Sequence, residues 1–398
     1  MRKKLLILGA GNSHIPIIKT AKRMGLYTIV MDKNPNAPGF EFCDKKVKLD
    51  GGNQDQVLKV AKNLKVNGIL ATGDYAVIPA AYASEKLGLA TIGLKIALLV
   101  TNKGKLFTKF AKNDVPLPRR IIVTNYNEAL KAAKKIGFPV ILKPVYSFGA
   151  SRGVIRVNNN DELLEKFRFT ESFCLKKGII VEQFVQGVEH TIESLTINGK
   201  THVLAISDKK RTLNPFCVAT SLDYPSKQNK HIISKLENVA TIAIKTSGIK
   251  NGATHIEAIS DGDNVYVIDF GGRGGAGGYI PSAIVPEING IDMIKHMIKL
   301  VLGEKIDDVL LKPKFFDHVI YRFFTAKPGT VSTINGLKKV TKFKWLLDIK
   351  MHVKKGDKVE VLSNQLLRPG YFVVVGKSSD EAERRARLIE RTVTIKTK

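Results

Sequence analysis

The sequence predicts a fold of mixed class, with an α/β unit at the N-terminus followed by α+β regions. In residues 1–97, short apolar runs alternate with helical stretches such as IPIIKTAKRM, which is typical of an open, mostly parallel sheet. In residues 98–312, helices and strands surround a polar, glycine-bearing loop. In residues 313–398, strand-like segments separated by turn signals lead to a closing helix, SDEAERRARLIERT. We therefore expect three units, the last a smaller α+β module.

Size and composition favour an ordinary globular protein of about two to four domains. The chain has 398 residues, of which 44% are hydrophobic and 25% charged. Its three cysteines, Cys43, Cys174 and Cys217, are widely separated, so neither a disulfide framework nor a structural zinc site is expected. No run approaches the roughly 20 apolar residues that span a bilayer, and the apolar start LLILGAG is interpreted as a first strand. We expect a reducing, cytoplasmic location without membrane contact.

The net charge of +28, from 64 Lys and Arg against 36 Asp and Glu, favours anionic ligands. The lysines are spread along the whole chain, and no segment combines a dense basic run with interleaved aromatic residues. The charge therefore does not predict a functional nucleic-acid partner.

Two glycines, Gly9 and Gly11, follow the first predicted strand, and Asp32 ends the second. Such a turn lets the backbone approach phosphates at a helix N-terminus, as in dinucleotide-binding proteins. His14 stands where a third glycine would be expected, so a purely structural turn explains the pattern at least as well as NAD binding does.

Two acidic residues, Glu257 in ATHIEAIS and Asp269 in VYVIDFGG, flank a turn at 261–264 and are expected to face each other across a β-hairpin. Opposite residues in a hairpin lie roughly 5 Å apart, so two carboxylates there can share a hard cation. Solvated acids on an ordinary hairpin are the alternative, but neighbouring carboxylates repel unless a cation or proton neutralises them. The pair therefore predicts a magnesium site. His255 shares the strand face of Glu257 and can contact a substrate.

Two further segments carry groups suited to a nucleotide. Lys143 ends the apolar strand PVILK, and the loop SFGASRG behind it offers phosphates backbone N–H donors and the hydroxyls of Ser147 and Ser151. In VEQFVQGVE, hinge backbone groups can face an adenine edge and Glu189 the ribose hydroxyls. Taken alone, each segment has a structural explanation, as a hairpin loop or as core and solvated residues.

Together these segments resemble the ATP-grasp superfamily over essentially the whole chain. The resemblance is carried, in order, by TNKGKLFTKF, GFPVILKPVYSFGASRGV, VEQFVQGVEHTIE, THIEAIS and VIDFGGRGG. It implies a Rossmann-like pre-ATP-grasp domain at 1–97 and an ATP-grasp domain at 98–312, whose ATP subdomain covers about 115–185. It also implies that residues 313–398 form a lid-like α+β module, and that nucleotide lies between two α+β subdomains.

The resemblance also assigns roles to residues. Lys103 and Lys143 match the lysines that contact ATP phosphates, and Arg273 matches the arginine that steadies the reacting phosphate or the substrate carboxylate. Glu257 and Asp269 match the metal carboxylates. The remaining ATP contacts form the glycine-rich loop, the adenine hinge and the ribose contact: Ser147, Gly149, Ser151, Gly153, Glu182, Gln183, Val185 and Glu189.

One feature departs from the family pattern and one adds to it. The second metal carboxylate is usually a Glu followed two residues later by Asn, whereas this chain has Asp269 and Gly271. One side-chain ligand is therefore missing, and full occupancy of a second metal site is not implied. In DKKRTLNPF, three cations are expected on a loop, Lys209, Lys210 and Arg211. Lys210 is assigned there as a catalytic phosphate ligand, with an exposed surface role as the alternative.

The C-terminal stretches TAKPGTVSTINGL and LRPGYFVVVG look most like those of L-amino acid ligases and biotin carboxylase-like members. The resemblance thus implies a carboxylate–amine ligase that activates a small carboxylate, expected to be an amino acid, as an acyl phosphate and releases ADP and phosphate. ATP and Mg²⁺, with Mn²⁺ as an alternative ion, are the implied cofactors, and a homodimer is the implied assembly. Three alternatives stay open: a bicarbonate-activating carboxylase or carbamoyl-phosphate synthetase-like enzyme, a regulatory ATP-binding protein without turnover, and, last, a dehydrogenase.

Overall fold

The computed structural model describes residues 2–146, 149–212 and 215–398. Its N-terminal unit comprises β1 (Lys4–Leu8), α1 (Ile15–Arg23), β2 (Tyr27–Met31), β3 (Lys45–Val47), α2 (Gln54–Leu64), β4 (Gly68–Ala71) and α3 (Asp74–Lys86). The four strands form a parallel sheet in the order β3-β2-β1-β4. Leu5 and Ile7 of β1 share a core with α1, and Leu6 and Leu8 share one with α2 and α3 on the other face. The predicted α/β unit is confirmed, because strands buried on both faces read as continuous apolar runs.

A second unit carries the predicted glycine-rich loop. The linking helices α4 (Leu94–Val100) and α5 (Lys103–Ala111) lead to β5 (Arg120–Val123), α6 (Tyr126–Ile136), β6 (Val140–Pro144), β7 (Ile155–Val157), α7 (Leu163–Glu171) and β8 (Ile179–Gln183). Its antiparallel sheet has four strands in the order β5-β8-β6-β7, and α6 and α7 share one core with it. This sheet lies within the predicted ATP subdomain.

The chain then builds most of a large central sheet. Its elements are β9 (Val188–Ile197), β10 (Lys200–Arg211), β11 (Ala219–Tyr224), α8 (Lys230–Ser247), β12 (Gly252–Ser260) and β13 (Val265–Gly271), followed by α9 (Val285–Asn289) and α10 (Met293–Val301). Over the described ranges, no helix is both long and apolar enough to cross a membrane.

The C-terminal elements extend that sheet. They are β14 (His318–Phe324), β15 (Gly329–Asn335), α11 (Leu337–Val340), β16 (Leu346–Met351), β17 (Lys358–Val359), β18 (Gly370–Gly376), α12 (Ser379–Thr392) and β19 (Thr394–Thr397). The large sheet has eight strands in the order β13-β12-β9-β10-β11-β14-β18-β16, so hydrogen bonding is continuous across the predicted boundary at 312. The prediction that the chain closes on a helix is wrong. Helix α12 is followed by β19, which pairs with β15 in a three-stranded sheet.

The two faces of the central sheet have different partners. Ile192, Ile206 and Ile256 on one face pack with α8. Alternate residues point to the opposite face, here called the inner face, where Leu195 and Ala253 share a core with the N-terminal unit. The inner face also carries the paired residues Glu189 with Lys209, Thr191 with Glu257, and Glu193 with His255. The sheet thus places a row of charged side chains between the units.

A buried ion pair joins the C-terminal helix α12 to the large sheet, and it should make stability depend on pH. Arg322 on β14 donates to Glu383 at 2.7 Å. Although burial opposes its ionisation, the Arg322 guanidinium lowers the pKa of Glu383 to about 2. A folded-state pKa below the unfolded value means that this contribution is present above about pH 4.5 and is lost as the pH falls towards 2.

We therefore expect Glu383→Gln to lower the free energy of unfolding by about 1–3 kcal/mol at neutral pH, since it removes a charged hydrogen bond. The wild-type protein should lose stability between pH 4.5 and 2, and Glu383→Gln should lose less over the same range. Denaturant unfolding at a series of pH values measures both effects, with Glu360→Gln, an exposed position, as the control. Equal stability of the two variants would contradict the prediction.

Candidate active site

The predicted hairpin of β12 and β13 is confirmed. Glu257 and Asp269 are direct cross-strand partners, and the turn is closed by Asp261, whose carboxylate accepts a hydrogen bond from Asn264 N at 2.8 Å. A register irregularity between Glu257 and Ala258 falls beside the pair. Both carboxylates therefore lie on the same side of the sheet, where they can act together.

Each carboxylate of this pair has a cation beside it. Lys103, the first residue of α5, forms an ion pair with Asp269. Lys209 on β10 lies between two acids: its Nζ contacts Glu189, and it lies 2.9 Å from Glu257 Oε1. Burial opposes ionisation of Glu257, but Lys209 outweighs it and holds the pKa of that carboxyl well below its usual range. The site is thus a balanced set of ions.

The expectation of a loop at Lys209–Arg211 is wrong, because β10 continues through Arg211. Alternation along this strand separates the three cations. Lys209 is buried on the inner face and Arg211 Nε lies 3.0 Å from Glu189, whereas Lys210 points the other way, to Asp223 at 2.8 Å. Lys210 therefore lies outside the row that holds Glu257, and Lys209 occupies the place that the sequence analysis gave to its neighbour.

Lys143 is the last residue but one of β6, close to the predicted strand end, and it is buried against an acid of the predicted hinge. Its Nζ donates to Glu182 Oε1 at 2.8 Å and to the Ile268 carbonyl at 2.9 Å. Burial lowers the pKa of Lys143, with the charge of Glu182 acting in the opposite direction. Arg120 on β5 is a second partner of Glu182, at 2.7 Å. The Glu182 side chain therefore holds two cations in place.

The rest of the hinge lies at the end of β8. The Gln183 side chain accepts from Arg119 Nε at 3.1 Å, and Val185 is half-buried. Gly187 lies against the end of β12, where a Cβ atom would come within 2.0 Å of the Ser260 carbonyl oxygen. This close approach fixes the hinge onto the central sheet, so the two sheets meet at the predicted adenine position.

The glycine-rich loop is described from Gly149 onward, and Ser147 lies outside the described residues. Four positions have positive φ: Gly149, Ala150, Ser151 and Gly153. Positive φ is costly for Ala and Ser, so tertiary contacts must hold this conformation. Gln365 supplies two of them, donating from its backbone N to the Ala150 carbonyl at 2.9 Å and from Nε2 to Ser151 Oγ at 3.1 Å.

Arg273 reaches from the end of β13 to the N-terminal unit. Its guanidinium donates two hydrogen bonds to Asp74, at 2.9 Å and 2.8 Å, a bidentate arrangement at the start of α3. Burial opposes the charged form of Arg273, but Asp74 outweighs it and raises the pKa. A cavity of about 580 Å³ between the N-terminal unit and the central sheet has Arg273 in its wall.

The same arginine explains the departure at Gly271. A Cβ atom there would lie 3.1 Å from the Arg273 Cζ, closer than an ordinary van der Waals contact. A larger residue at this position would require the guanidinium to move by a few tenths of an ångström, so the glycine leaves room for Arg273 in its observed place.

His255 lies between two acids on the inner face. Its Nδ1 contacts Glu193, and its Nε2 lies 3.7 Å from Glu257 Oε1. Burial lowers the pKa of His255, but Glu193 more than compensates and raises it to about 9. The imidazolium is therefore a further positive charge beside Glu257.

The donor set fits a magnesium ion that takes most of its ligands from phosphates and water. Within residues 2–146, 149–212 and 215–398, no three His, Cys, Asp or Glu side chains form a metal cluster. Magnesium that also binds nucleotide phosphates commonly has one or two carboxylate ligands from the protein. Glu257 and Asp269, which face each other, meet that requirement.

Several residues of this site were not predicted from the sequence. Asp74, Arg120 and Glu193 each contact a predicted residue, and none lies in a recognisable motif. Lys209 could have been found, because strand alternation in VLAISDKKR places Lys209 and Arg211 on one face and Lys210 on the other.

Comparison with known proteins agrees with this geometry. Residues 136–282 match the model of an ATP-grasp domain, and residues 322–398 match that of L-amino acid ligase C-terminal domain 2. The structure of an L-amino acid ligase from Bacillus licheniformis is 25% identical, with a TM-score of 0.85 over 100% of this chain and 99% of that one. That of phosphoribosylglycinamide synthetase from Anaerococcus prevotii is 24% identical, with a TM-score of 0.77 over 100% of both chains.

A curated relative is the carbamoyl phosphate synthase large chain of Pseudothermotoga lettingae, which is 24% identical over 352 residues, or 83% of this chain. The chain spans only 31% of the length of that relative. The fold and the matched segments together show that the chain carries an ATP-grasp domain, at residues 136–282. Residues 322–398 form a domain similar to C-terminal domain 2 of the L-amino acid ligases.

The alternation of β10 predicts different roles for two neighbouring lysines. Lys209→Met should weaken Mg-ATP binding about tenfold or more, because it removes the cation that Glu189 and Glu257 share. Only Arg211 and His255 are then left to balance these acids beside the phosphates. Lys210→Met should stay within about twofold of wild type, since Lys210 lies on the other face. Isothermal titration calorimetry measures both affinities. A larger loss for Lys210→Met would show that the side chains are assigned to the wrong faces.

Proposed function

We propose that the protein is an ATP-dependent ligase that activates a small carboxylate as an acyl phosphate and joins it to an amine. We expect the carboxylate to be that of an amino acid. One observation carries the proposal: Glu257 and Asp269 face each other, while cations from separate elements, Lys103 on α5 and Lys209 on β10, lie against them. This set of charges suits polyphosphate transfer, which requires positioning and charge neutralisation more than covalent chemistry.

In the first step, a carboxylate oxygen of the substrate attacks the γ-phosphorus of ATP, and the bond to the β–γ bridging oxygen breaks to release ADP. Lys103, Lys143 and Arg273 are proposed to offset the negative charge on the phosphates and on the attacking carboxylate. Magnesium, held by Glu257 and Asp269, would neutralise charge on the nucleotide phosphates.

In the second step, the amine nitrogen attacks the carbonyl carbon of the acyl phosphate, and inorganic phosphate leaves as the amide forms. The proton lost by the nitrogen passes to phosphate or to solvent. No nucleophilic side chain is needed. The protein's contribution is to hold the two reactants together and keep water away, and the glycine-rich loop held by Gln365 is placed to cover the site.

Bicarbonate activation is a second candidate, because curated relatives are carbamoyl phosphate synthase large chains. The first step would be the same, with bicarbonate as the attacking oxygen nucleophile. The match of residues 322–398 to an L-amino acid ligase domain favours the amino acid reading. A homodimer remains an expectation of the family resemblance.

Release of ADP and phosphate tests the proposal when it is measured over pairs of carboxylates and amines, with mass detection of condensed products. Turnover that needs both partners and yields a new amide supports the ligase. Turnover with bicarbonate alone would move the assignment to the second candidate. ATP binding without ADP formation across the panel would favour a regulatory protein.

The carboxylate pair should be indispensable for this reaction. We expect Glu257→Gln and Asp269→Asn each to lower ADP formation by at least about a hundredfold, because each removes a charge that balances cations and magnesium near the transferred phosphoryl group. Asp263→Asn, in the exposed turn of the same hairpin, is the matched control and should keep wild-type activity. Persistence of ADP formation in Glu257→Gln would refute the site.

A further inference from the structure

Arg368 is a buried guanidinium with no acidic partner. It follows a short 3₁₀ helix, Gln365–Leu367, and precedes β18, and only 8% of its surface is exposed. Its Nη2 donates to the Ala219 carbonyl at 2.6 Å, whereas its Nε is buried without a hydrogen-bond partner. In the part of the chain that the structure describes, no ion pair includes Arg368. Arg120, Arg211, Arg273 and Arg322 all have carboxylate partners.

The position of Arg368 is fixed by stacking. Its Cζ lies 3.5 Å from the ring centroid of Phe323 on β14, a cation–π contact that orients the planar group. A buried, oriented guanidinium without a counter-ion is costly, so its unpaired N–H group requires an explanation. Burial lowers the pKa of Arg368 to about 10, so it still carries its charge at neutral pH.

Arg368 lies beside the proposed reaction centre. Phe323 follows Tyr321 on the inner face, Tyr321 pairs with Leu222 on β11, and Leu222 pairs with Lys209. Tyr321 and Lys209 are thus two strand spacings apart, roughly 10 Å. Burial has the larger effect on the pKa of Arg368 and lowers it, while the charges of Tyr321 and Glu257 raise it. Gln365, three residues earlier, donates a hydrogen bond to Ser151, so this segment contacts the glycine-rich loop.

We infer that Arg368 binds the carboxylate of a substrate in this cleft, with Nε and a neighbouring N–H group of the guanidinium as donors. A planar guanidinium matches a carboxylate in a two-point arrangement, and the orphaned Nε is one of the two points. In the proposed reaction Lys103 and Lys143 serve the phosphates, and Arg273 is shared with Asp74, so Arg368 is a second guanidinium for a substrate carboxylate. The inference rests on the proposed ligase function and adds a binding residue to it.

Kinetics of Arg368→Gln and Arg368→Lys test this inference, with the exposed Arg384→Gln as the matched control. On an acid–amine pair turned over by wild type, Arg368→Gln should raise KM for one carboxylate at least about tenfold and leave KM for ATP within about twofold. Arg368→Lys should recover only part of the loss, because it cannot make the two-point contact. A raised KM for ATP alone, or no change in any KM, would overturn the inference.

Two substrate carboxylates could be the ligand: the one that is phosphorylated, or the one on an amino acid that supplies the amine. Replacing the carboxylate of the amine donor by a carboxamide separates them. If Arg368 binds the donor, wild type should use the carboxamide with a low kcat/KM. Arg368→Gln should then lower kcat/KM for the carboxamide only a little further. If Arg368 binds the acid that is activated, Arg368→Gln should lower kcat/KM by the same factor with the amine donor and with its carboxamide.

A measurement without turnover keeps this inference separate from the proposed function. The Nε–H resonance of Arg368, assigned by its absence in Arg368→Lys, should shift saturably with sodium acetate in the presence of Mg-ADP and not with sodium chloride at equal ionic strength. Absence of a saturable shift would overturn the carboxylate site. A saturable shift in a protein that turns over no acid–amine pair would support the site and count against the ligase.

Discussion

Lys209 holds this site together. Two carboxylates, Glu189 and Glu257, lie on neighbouring strands of an internal sheet face, and they would repel if neither were neutralised. The ammonium group of Lys209 contacts both, while Arg211 adds a second cation to Glu189. The strands can therefore pair in the register that puts Glu257 opposite Asp269. In this structure the carboxylates of Glu189 and Glu257 balance the charges of Lys209 and Arg211. A polyphosphate bound with its metal ion can replace the carboxylates as partners of these cations with little change in net charge.

The site is also the place where the separate units of the chain meet. Asp74 from the N-terminal unit holds Arg273 of the central sheet, and a Cβ atom on Gly149 of the glycine-rich loop would lie 3.1 Å from that same Asp74 carboxylate. The C-terminal segment reaches the loop through Gln365. Contacts from three directions thus converge on the proposed phosphate region.

Local pattern was enough to predict part of this arrangement. The parallel N-terminal sheet, the hairpin with its facing acids and the strand that carries Lys143 follow from apolar periodicity and turn residues. The loop expected at Lys209–Arg211 was wrong because a run of cations is typical of a loop, whereas β10 continues to Arg211. Asp74 and Arg368 could not be predicted, since their roles depend on contacts between units far apart in the sequence. The extension of the central sheet by β14, β18 and β16 is likewise a long-range pairing.

Transfer of isotope from the carboxylate to phosphate tests the central claim most directly. With a substrate whose carboxylate is labelled with ¹⁸O, an acyl phosphate pathway predicts that one labelled oxygen appears in the inorganic phosphate released, in step with amide formation and ADP. ADP and amide formation with unlabelled phosphate would contradict the account, because the carboxylate would then not have attacked the γ-phosphorus.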